Sequence, residues 1–259
     1  MSEIPRRYGT DMPLPYSPFM TDSVAFLFDL DGTLVDSVYQ HVRAWHLALR
    51  DNGFELSIWR IHRKIGMSGG LFTHQLLREL GRDVDEGTIQ RLRDRHAELY
   101  LSLSQEVTPL PGSIQLLRAL SDADLPWAIA TSGRMVTASA NLRALGLDPD
   151  TTPVVTRDQV RFAKPDPDLF VEAARRVGAP IRGSYVIGDS IWDMLAAARC
   201  GALGIGLLSG GYGRDELERA GALRVYDDPA DMLTHLDELA PRTRDRTGRQ
   251  RPEGRQAPA

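Results

Sequence analysis

Two carboxylates stand two residues apart, directly after a strongly apolar run. The run from Val24 to Phe28 is followed by Asp29, Asp31 and Gly32. Residues two apart project to the same side of an extended backbone, and a glycine allows a sharp turn just beyond. Charges at the end of a buried strand are costly unless a metal ion or another partner satisfies them. The pair therefore predicts a charged site, unless it is only a polar turn that ends a strand.

Two further polar groups stand where apolar runs end. Thr131, Ser132 and Gly133 supply hydroxyl and backbone N–H donors at the predicted start of a helix, a pattern that suits either anion binding or ordinary helix capping. Asp189 follows a third apolar run, and Asp193 lies four residues later, about one helical turn, so that it can face back toward Asp189. Each group alone has an ordinary structural explanation, and their combination is what indicates chemistry.

One lysine stands out against the composition of the chain. Among 31 lysines and arginines, only Lys64 and Lys164 are lysine. A solvated position in such a chain is expected to hold arginine. We therefore interpret Lys164, just before a predicted helix, as a functional cation rather than a surface residue.

The elements that must position these residues follow from the apolar patterns. Four runs have the length and continuous apolar character of strands buried on both faces: Val24–Phe28, Trp127–Ala130, Ser184–Ile187 and Leu203–Leu207. Helical patterns lie between or after them, over residues 113–121, 134–145, 166–177 and 191–200. Alternation of this kind predicts a doubly wound parallel sheet in a Rossmann-like, three-layer α/β/α core.

A long insertion interrupts the alternation after the first strand. About 100 residues separate the first two predicted strands, whereas a βαβ unit needs about 30. Helical patterns cover residues 37–51, 70–80 and 85–104. We predict a helical cap domain over residues 37–107, and a catalytic core formed by residues 24–36 together with 108–239. The cap would sit over the carboxyl end of the first strand, where open α/β sheets bind ligands.

The charge distribution excludes several classes of protein. Residues 1–23 are expected to form a flexible leader, and residues 240–259 a disordered basic tail with six arginines and two acids. The net charge of −4 therefore leaves −8 on the remaining residues, which argues against a nucleic-acid partner. The sequence contains no apolar run of about 18 residues, we expect no secretory signal, and a single cysteine cannot form an internal disulfide. We expect a cytoplasmic protein without a membrane partner, as a monomer or a weak homodimer.

Taken together, the motifs resemble the haloacid dehalogenase superfamily of phosphotransferases between about Val24 and Leu239. The first motif is Asp-x-Asp-Gly-Thr-Leu-x-Asp-Ser at residues 29–37. The other motifs are Thr131-Ser132, Lys164 and Gly188-Asp189-Ser190 with Asp193. The resemblance implies a phosphatase with a helical cap inserted after the first motif, acting on a small phosphorylated metabolite similar to phosphoglycolate or a sugar phosphate.

The resemblance also implies roles for the carboxylates. Asp29 would be the nucleophile that forms an aspartyl-phosphate. Asp31 would protonate the leaving oxygen and then deprotonate the attacking water, a double role for which we expect a raised pKa beside a second carboxylate. Mg²⁺ would be held by Asp29, Asp189 and the backbone carbonyl of Asp31, with Asp193 in support.

Further residues are implied to contact the substrate. Thr131 and Lys164 would act in catalysis by holding phosphoryl oxygens, together with Ser132 and Gly133. On the cap, His41 and Gly69 are the candidates for substrate contact, the latter within the glycine-rich stretch 66–70.

Other reactions of the superfamily remain as alternatives. Haloacid dehalogenases and phosphonate hydrolases lack an acid at the position of Asp31, although Lys64 lies in the cap, where phosphonate hydrolases carry a reactive lysine. A β-phosphoglucomutase-like isomerase is closer, because His41 and Trp45 match the spacing of that family's cap.

Two features favour water as the phosphoryl acceptor. The mutase cap loop grips the second phosphate with an arginine, and Gly69 stands there in this chain. The second motif continues as Gly133-Arg134 rather than with hydroxyl and amide side chains. A contact from Arg43, Arg60 or Arg63 to a second phosphate position would instead favour the mutase. The remaining alternative is a catalytically silent binding or regulatory protein, against which the intact motif residues argue.

Overall fold

The computed structural model describes residues 24–79, 81 and 85–239, without the side chain of residue 76. The predicted leader 1–23 and basic tail 240–259 lie outside the described residues. The strands are β1 Phe26–Phe28, β2 Val35–Asp36, β3 Thr108–Pro109, β4 Trp127–Ala130, β5 Val154–Val155, β6 Tyr185–Gly188, β7 Leu203–Leu207 and β8 Ala222–Tyr226. The helices are α1 Val38–Asp51, α2 Ile58–His62, α3 Gly69–Glu79, α4 Glu86–Leu103, α5 Ser113–Asp122, α6 Met135–Ala144, α7 Asp168–Arg176, α8 Ile191–Cys200, α9 Arg214–Arg219 and α10 Pro229–Thr234.

Six strands form one parallel sheet in the order β5-β4-β1-β6-β7-β8. The strand β1 is central, with Leu27 opposite Ala128 of β4 on one side and Val186 of β6 on the other. Helices cover both faces, so the predicted doubly wound α/β core is confirmed. Among the six strands of this sheet, β5 and β8 were not predicted, because β5 has two residues and β8 exposes Leu223 and Arg224.

Alternate residues of the central strand face the two helical layers. Phe26 and Phe28 point into one apolar cluster, which includes Leu116 of α5 and Leu142 of α6. Ala25 and Leu27 point into the other, together with Phe170 of α7 and Ala197 of α8. Burial on both faces accounts for the continuous apolar character of this strand, since no face is left for polar residues.

The helices α1 to α4 pack together above the sheet, and we call this group the helical cap. They share an apolar cluster of their own, which includes Trp45 and Leu49 of α1, Ile61 of α2, Phe72 of α3 and Leu92 of α4. The two connections between cap and sheet pair as the antiparallel strands β2 and β3. The five-residue α2 was not predicted, because a single turn has too few residues to show a helical period.

The strand order decides where polar residues collect. All six strands run in the same direction, but the order in which they are added to the sheet reverses at β1, because β4 and β5 lie on one side of it and β6, β7 and β8 on the other. Ligands bind at such a switch point, at the carboxyl ends of the strands. Asp29, Thr131 and Asp189 follow the last residues of these three strands directly or within one residue. Among the described residues, no helix combines the length and apolar character needed to cross a bilayer.

Candidate active site

A buried cluster of opposite charges lies at the carboxyl end of the sheet. Lys164 is fully buried, and its Nζ lies 2.5 Å from Asp29 Oδ1 and 2.8 Å from Asp193 Oδ1. Asp29, Asp189 and Asp193 are themselves at most 4% exposed. One ammonium thus faces three buried carboxylates, and the cluster has an excess of negative charge.

That excess appears in the pKa values of the cluster. Burial raises the pKa of Asp29 to about 7, against the opposing charge of Lys164. Burial, and then the charges of Asp193 and Asp29, raise the pKa of Asp189 well above its usual range. Burial alone would lower the pKa of Lys164, but the charges of Asp193 and Asp29 outweigh it and keep the ammonium protonated.

The same carboxylates fit a hard divalent cation. Asp29, Asp189 and Asp193 each offer an oxygen, and these three oxygens lie within 4.8 Å of one another. Carboxylate oxygens are the ligands that Mg²⁺ prefers, and a cation here would neutralise the excess charge. Backbone packs closely on Asp189, since a Cβ on Gly210 would lie 1.7 Å from its Oδ2. The side chain of Asp31 does not join this group; only its backbone carbonyl was predicted to bind the metal.

The carboxylate of Asp31 points instead into a hydrogen-bond network. Its Oδ1 accepts from Ser37 Oγ at 2.7 Å and from Asn141 Nδ2 at 2.7 Å, and lies 3.1 Å from His41 Nε2. Its Oδ2 meets the Thr131 hydroxyl at 3.4 Å. The two oxygens therefore differ, because Oδ1 is saturated whereas Oδ2 retains capacity to exchange a proton.

The expected raised pKa of Asp31 is wrong. Burial does favour the neutral form, but the charge and hydrogen bond of His41 and the hydrogen bond from Ser37 outweigh it. They hold the pKa of Asp31 below its usual value. The raised pKa values belong to Asp29 and Asp189, and no motif in the sequence indicated that hydrogen-bond donors would reverse the expectation for Asp31.

A second layer of residues holds this network from both sides. Tyr100 of α4 donates to Asn141 Oδ1 at 2.7 Å, and its ring stacks on His41 with centroids 3.8 Å apart. His41 Nδ1 lies 3.1 Å from His96 Nε2, and burial holds the pKa of His96 well below its usual value. Sequence reasoning gave no role to His96, Tyr100 or Asn141, because their convergence depends on how α4 packs against α6.

The predicted anion site lies beside this network. Ser132 Oγ is buried and has no hydrogen-bond partner within the described part of the chain. Thr131 Oγ1 accepts from the Gly133 amide at 2.9 Å, and the Met135 amide donates to Asp158 Oδ2 at 3.0 Å. The Gly133 and Met135 amides at this helix start are therefore already used, and the Ser132 hydroxyl is a buried side-chain donor without a partner among the described residues.

A cavity of about 420 Å³ separates the sheet from the helical cap. Its lining brings together most of the predicted substrate-contact residues, namely Asp29, Asp31, His41, Gly69, Thr131, Ser132 and Gly133. Gly69 lies at the first residue of α3, so the glycine-rich stretch is part loop and part helix. Lys164 is not at the cavity surface but directly behind Asp29.

The cap arginines singled out by sequence are engaged elsewhere. Arg63 binds Glu216 at 2.5 Å, Arg60 lies 3.6 Å from Glu79, and Arg43 is exposed. These three do not line the cavity. Arg93 of α4 does, although its position in a long amphipathic helix gave no signal in the sequence.

Comparison with known proteins agrees with this geometry. Hexitol phosphatase A of Escherichia coli (strain K12) is 34% identical over 178 residues, 68% of this chain and 79% of that protein. A phosphoglycolate phosphatase of Caulobacter vibrioides is 29% identical over 197 residues, 75% of this chain and 83% of that protein. A crystal structure of a hydrolase from Pseudomonas syringae is 56% identical, with a TM-score of 0.83 and coverage of 84% of this chain and 100% of that one.

A sequence model of the haloacid dehalogenase-like hydrolases matches residues 24–201, well over half of the chain. That segment contains the sheet-edge carboxylates, the buried lysine and the helical cap. The chain therefore belongs to the haloacid dehalogenase-like hydrolase family.

Proposed function

We propose that this protein is a Mg²⁺-dependent phosphomonoesterase that acts on a small phosphorylated metabolite through an aspartyl-phosphate. The main support is the fully buried Lys164, whose ammonium lies 2.5 Å from Asp29 in a cluster of three carboxylates. Burying such a cluster is costly, and removing one partner of a buried pair costs more. Once a divalent cation neutralises the excess negative charge of the cluster, the arrangement suits a site that receives a dianion.

Asp29 is the nucleophile in this proposal. One of its oxygens attacks phosphorus as the bond to the leaving oxygen breaks. Lys164 favours the ionised form of Asp29 against the effect of burial, and it offsets the repulsion between two anions. The Ser132 and Thr131 hydroxyls hold the phosphoryl oxygens, together with the Gly133 amide, which exchanges its hydrogen bond to Thr131 Oγ1 for one to the phosphate. Mg²⁺, held by Asp29, Asp189 and the carbonyl of Asp31 with support from Asp193, supplies charge neutralisation when bound.

Asp31 moves the protons through Oδ2. Because the pKa of Asp31 lies below its usual value, its carboxylate is ionised in the free protein. The negative charge of an arriving phosphate disfavours this ionised form. Substrate arrival thus favours the protonated acid, which donates to the leaving oxygen. The resulting carboxylate then accepts a proton from the water that hydrolyses the aspartyl-phosphate. The names of the relatives, a hexitol phosphatase and a phosphoglycolate phosphatase, support water as the acceptor.

A β-phosphoglucomutase-like isomerase is the second candidate. It is favoured by one observation, the 3.1 Å contact between His41 and the acid Asp31. The two candidates differ in product, because the isomerase returns a phosphorylated sugar whereas the phosphatase releases inorganic phosphate.

The test is phosphate release from a panel of small phosphomonoesters, with and without Mg²⁺. The panel includes phosphoglycolate, hexitol phosphates and β-glucose 1-phosphate, the last also assayed for glucose 6-phosphate. We expect Mg²⁺-dependent release that disappears in Asp29→Asn and persists in Asp122→Asn, a change of the same kind at an exposed site on α5. Glucose 6-phosphate without free phosphate would favour the isomerase. Release by Asp29→Asn at the wild-type rate would refute the proposed nucleophile.

A further inference from the structure

The helix α4 presents one face to the cavity. Gln90, Arg93 and Ala97, spaced by three and four residues, all line it. We infer that Arg93 binds an anionic group at the end of the substrate remote from the phosphate that is cleaved. The inference rests on the proposed phosphatase and specifies which esters it prefers.

The guanidinium of Arg93 is only weakly compensated. Its Nε is buried and has no hydrogen-bond partner among the described residues. Its nearest carboxylate is Glu86 Oε1, 3.6 Å from Nη1, on a side chain that is 72% exposed. An exposed pair at that distance contributes little. Arg93 therefore has both charge and donor capacity available to a ligand.

Other cations that line the cavity have closer partners. Lys64 Nζ lies 2.6 Å from Glu79 Oε1, and Arg134 Nε lies 3.2 Å from Asp158 Oδ1. Arg157 donates from Nη1 to the Val160 carbonyl at 2.7 Å. These contacts leave Arg93 as the cap residue best placed to attract an anion.

The backbone of α3 leaves room for this guanidinium. A Cβ on Gly70 would lie 2.9 Å from Arg93 Nη2, closer than ordinary packing allows. Gly70 therefore gives the guanidinium room to lie against the first turn of α3, and a Cβ at this position would shift Nη2 away. The positive end of that eleven-residue helix also favours an anion there.

Guanidinium recognises planar or tetrahedral oxyanions through paired N–H donors. The remote group is therefore a carboxylate or a second phosphate. Pairs of substrates that differ in one group distinguish a remote carboxylate from a remote phosphate. Phosphoglycolate and 2-hydroxyethyl phosphate differ chiefly in a carboxylate, and fructose 1,6-bisphosphate and fructose 1-phosphate differ in a second phosphate.

The test compares wild type, Arg93→Met, Arg93→Lys and the control Arg91→Met, which removes an exposed arginine of the same helix. We expect Arg93→Met to lower kcat/KM about 10- to 100-fold for at least one of the two substrates with a remote anion, mainly through KM. For the matched ester that lacks the remote anion, kcat/KM should change less than about threefold. Arg93→Lys should recover part of the lost kcat/KM, and Arg91→Met should have the kcat/KM of the wild type. Thermal melting confirms that the variants are folded.

Equal losses for both members of each substrate pair, or no loss at all, would overturn the inference. Absence of turnover of every ester by the wild type would instead refute the proposed function. In that case calorimetric titration with phosphoglycolate and 2-hydroxyethyl phosphate, and with the two fructose esters, still tests Arg93. A selective loss of affinity for a ligand with a remote anion in Arg93→Met supports the inference, and unchanged affinities reject it.

Discussion

The two walls of the cavity are built on different principles. The core wall carries Asp29, and directly behind it the buried Lys164 ammonium lies 2.5 Å from Asp29 and 2.8 Å from Asp193. On the cap wall, the side chain of Arg93 is 26% exposed and its nearest carboxylate is 3.6 Å away. Fixed buried charges suit a reaction that is the same for every substrate, whereas loosely held charges suit the selection of one substrate. We therefore expect substitutions at the core wall to lower stability and activity far more than substitutions at the cap wall.

The largest difference is expected between substitutions of the two lysines of the chain, of which one lies near each wall. Lys164→Met leaves buried carboxylates unpaired and should lower the free energy of unfolding by about 3–5 kcal/mol, with loss of phosphatase activity. Lys64→Met removes a partly exposed pair with Glu79 and should cost about 1 kcal/mol or less. Urea unfolding of both variants measures the difference. Similar losses of unfolding free energy in the two variants would contradict the proposed difference between the walls.

The next effect concerns the residues that hold Asp31. Asn141→Leu removes one of the donors to Asp31 Oδ1 and should lower kcat/KM for alkyl phosphates about 10- to 100-fold. A p-nitrophenyl ester should change little, because its leaving group needs no proton and kcat/KM reports only steps up to phosphoryl transfer. Tyr100→Phe, which removes the outer hydrogen bond to Asn141, should have a smaller effect of the same kind. Equal losses for both classes of ester would show that Asn141 only stabilises the fold.

Binding of Mg²⁺ should depend on pH in a defined direction. The pKa of Asp29 is raised to about 7, so its ionisation costs the metal-free protein stability as the pH rises from the ordinary carboxyl range to that value. The cation relieves this cost at about pH 8, but must displace a proton at about pH 5.5. Saturating Mg²⁺ should raise the Tm by about 5–10 °C at the higher pH and by less at the lower. Sodium chloride of equal ionic strength is the control, and equal shifts at both pH values would contradict the assignment.

The smallest effect tests the cap wall. Gly70→Ala should stabilise α3 by up to about 1 kcal/mol, because alanine has the higher helix propensity. The new Cβ displaces Arg93 Nη2, so KM for esters with a remote anion should rise about two- to fivefold. Gly87→Ala, at the exposed start of α4, should leave KM unchanged. A rise of KM for esters without a remote anion as well would show that the cavity had changed shape instead.

The core wall was predictable from sequence because a parallel sheet collects strand ends at one edge. Asp29, Thr131 and Asp189 each follow a recognisable apolar run, and the scarcity of lysine singled out Lys164. These features are local, so one sequence contains them in full.

The second layer and the cap wall were not predictable in the same way. Tyr100 and Asn141 meet only because α4 folds back onto α6, and no spacing in the sequence encodes that contact. The period of α4 defines a face for Arg93 but not which face meets the cavity. The prediction of a raised pKa for Asp31 was wrong for the same reason, since its partners Ser37 and His41 act through a network that only the fold assembles.

Chemical trapping during turnover tests the nucleophile most directly. A denaturing quench followed by borohydride reduction converts an aspartyl-phosphate to homoserine, and peptide mass spectrometry locates the altered residue. With Mg²⁺ and a substrate that is turned over, homoserine should appear at position 29, and it should be absent without substrate and in Asp29→Asn. Homoserine at another aspartate, or none at all while phosphate is being released, would contradict the account.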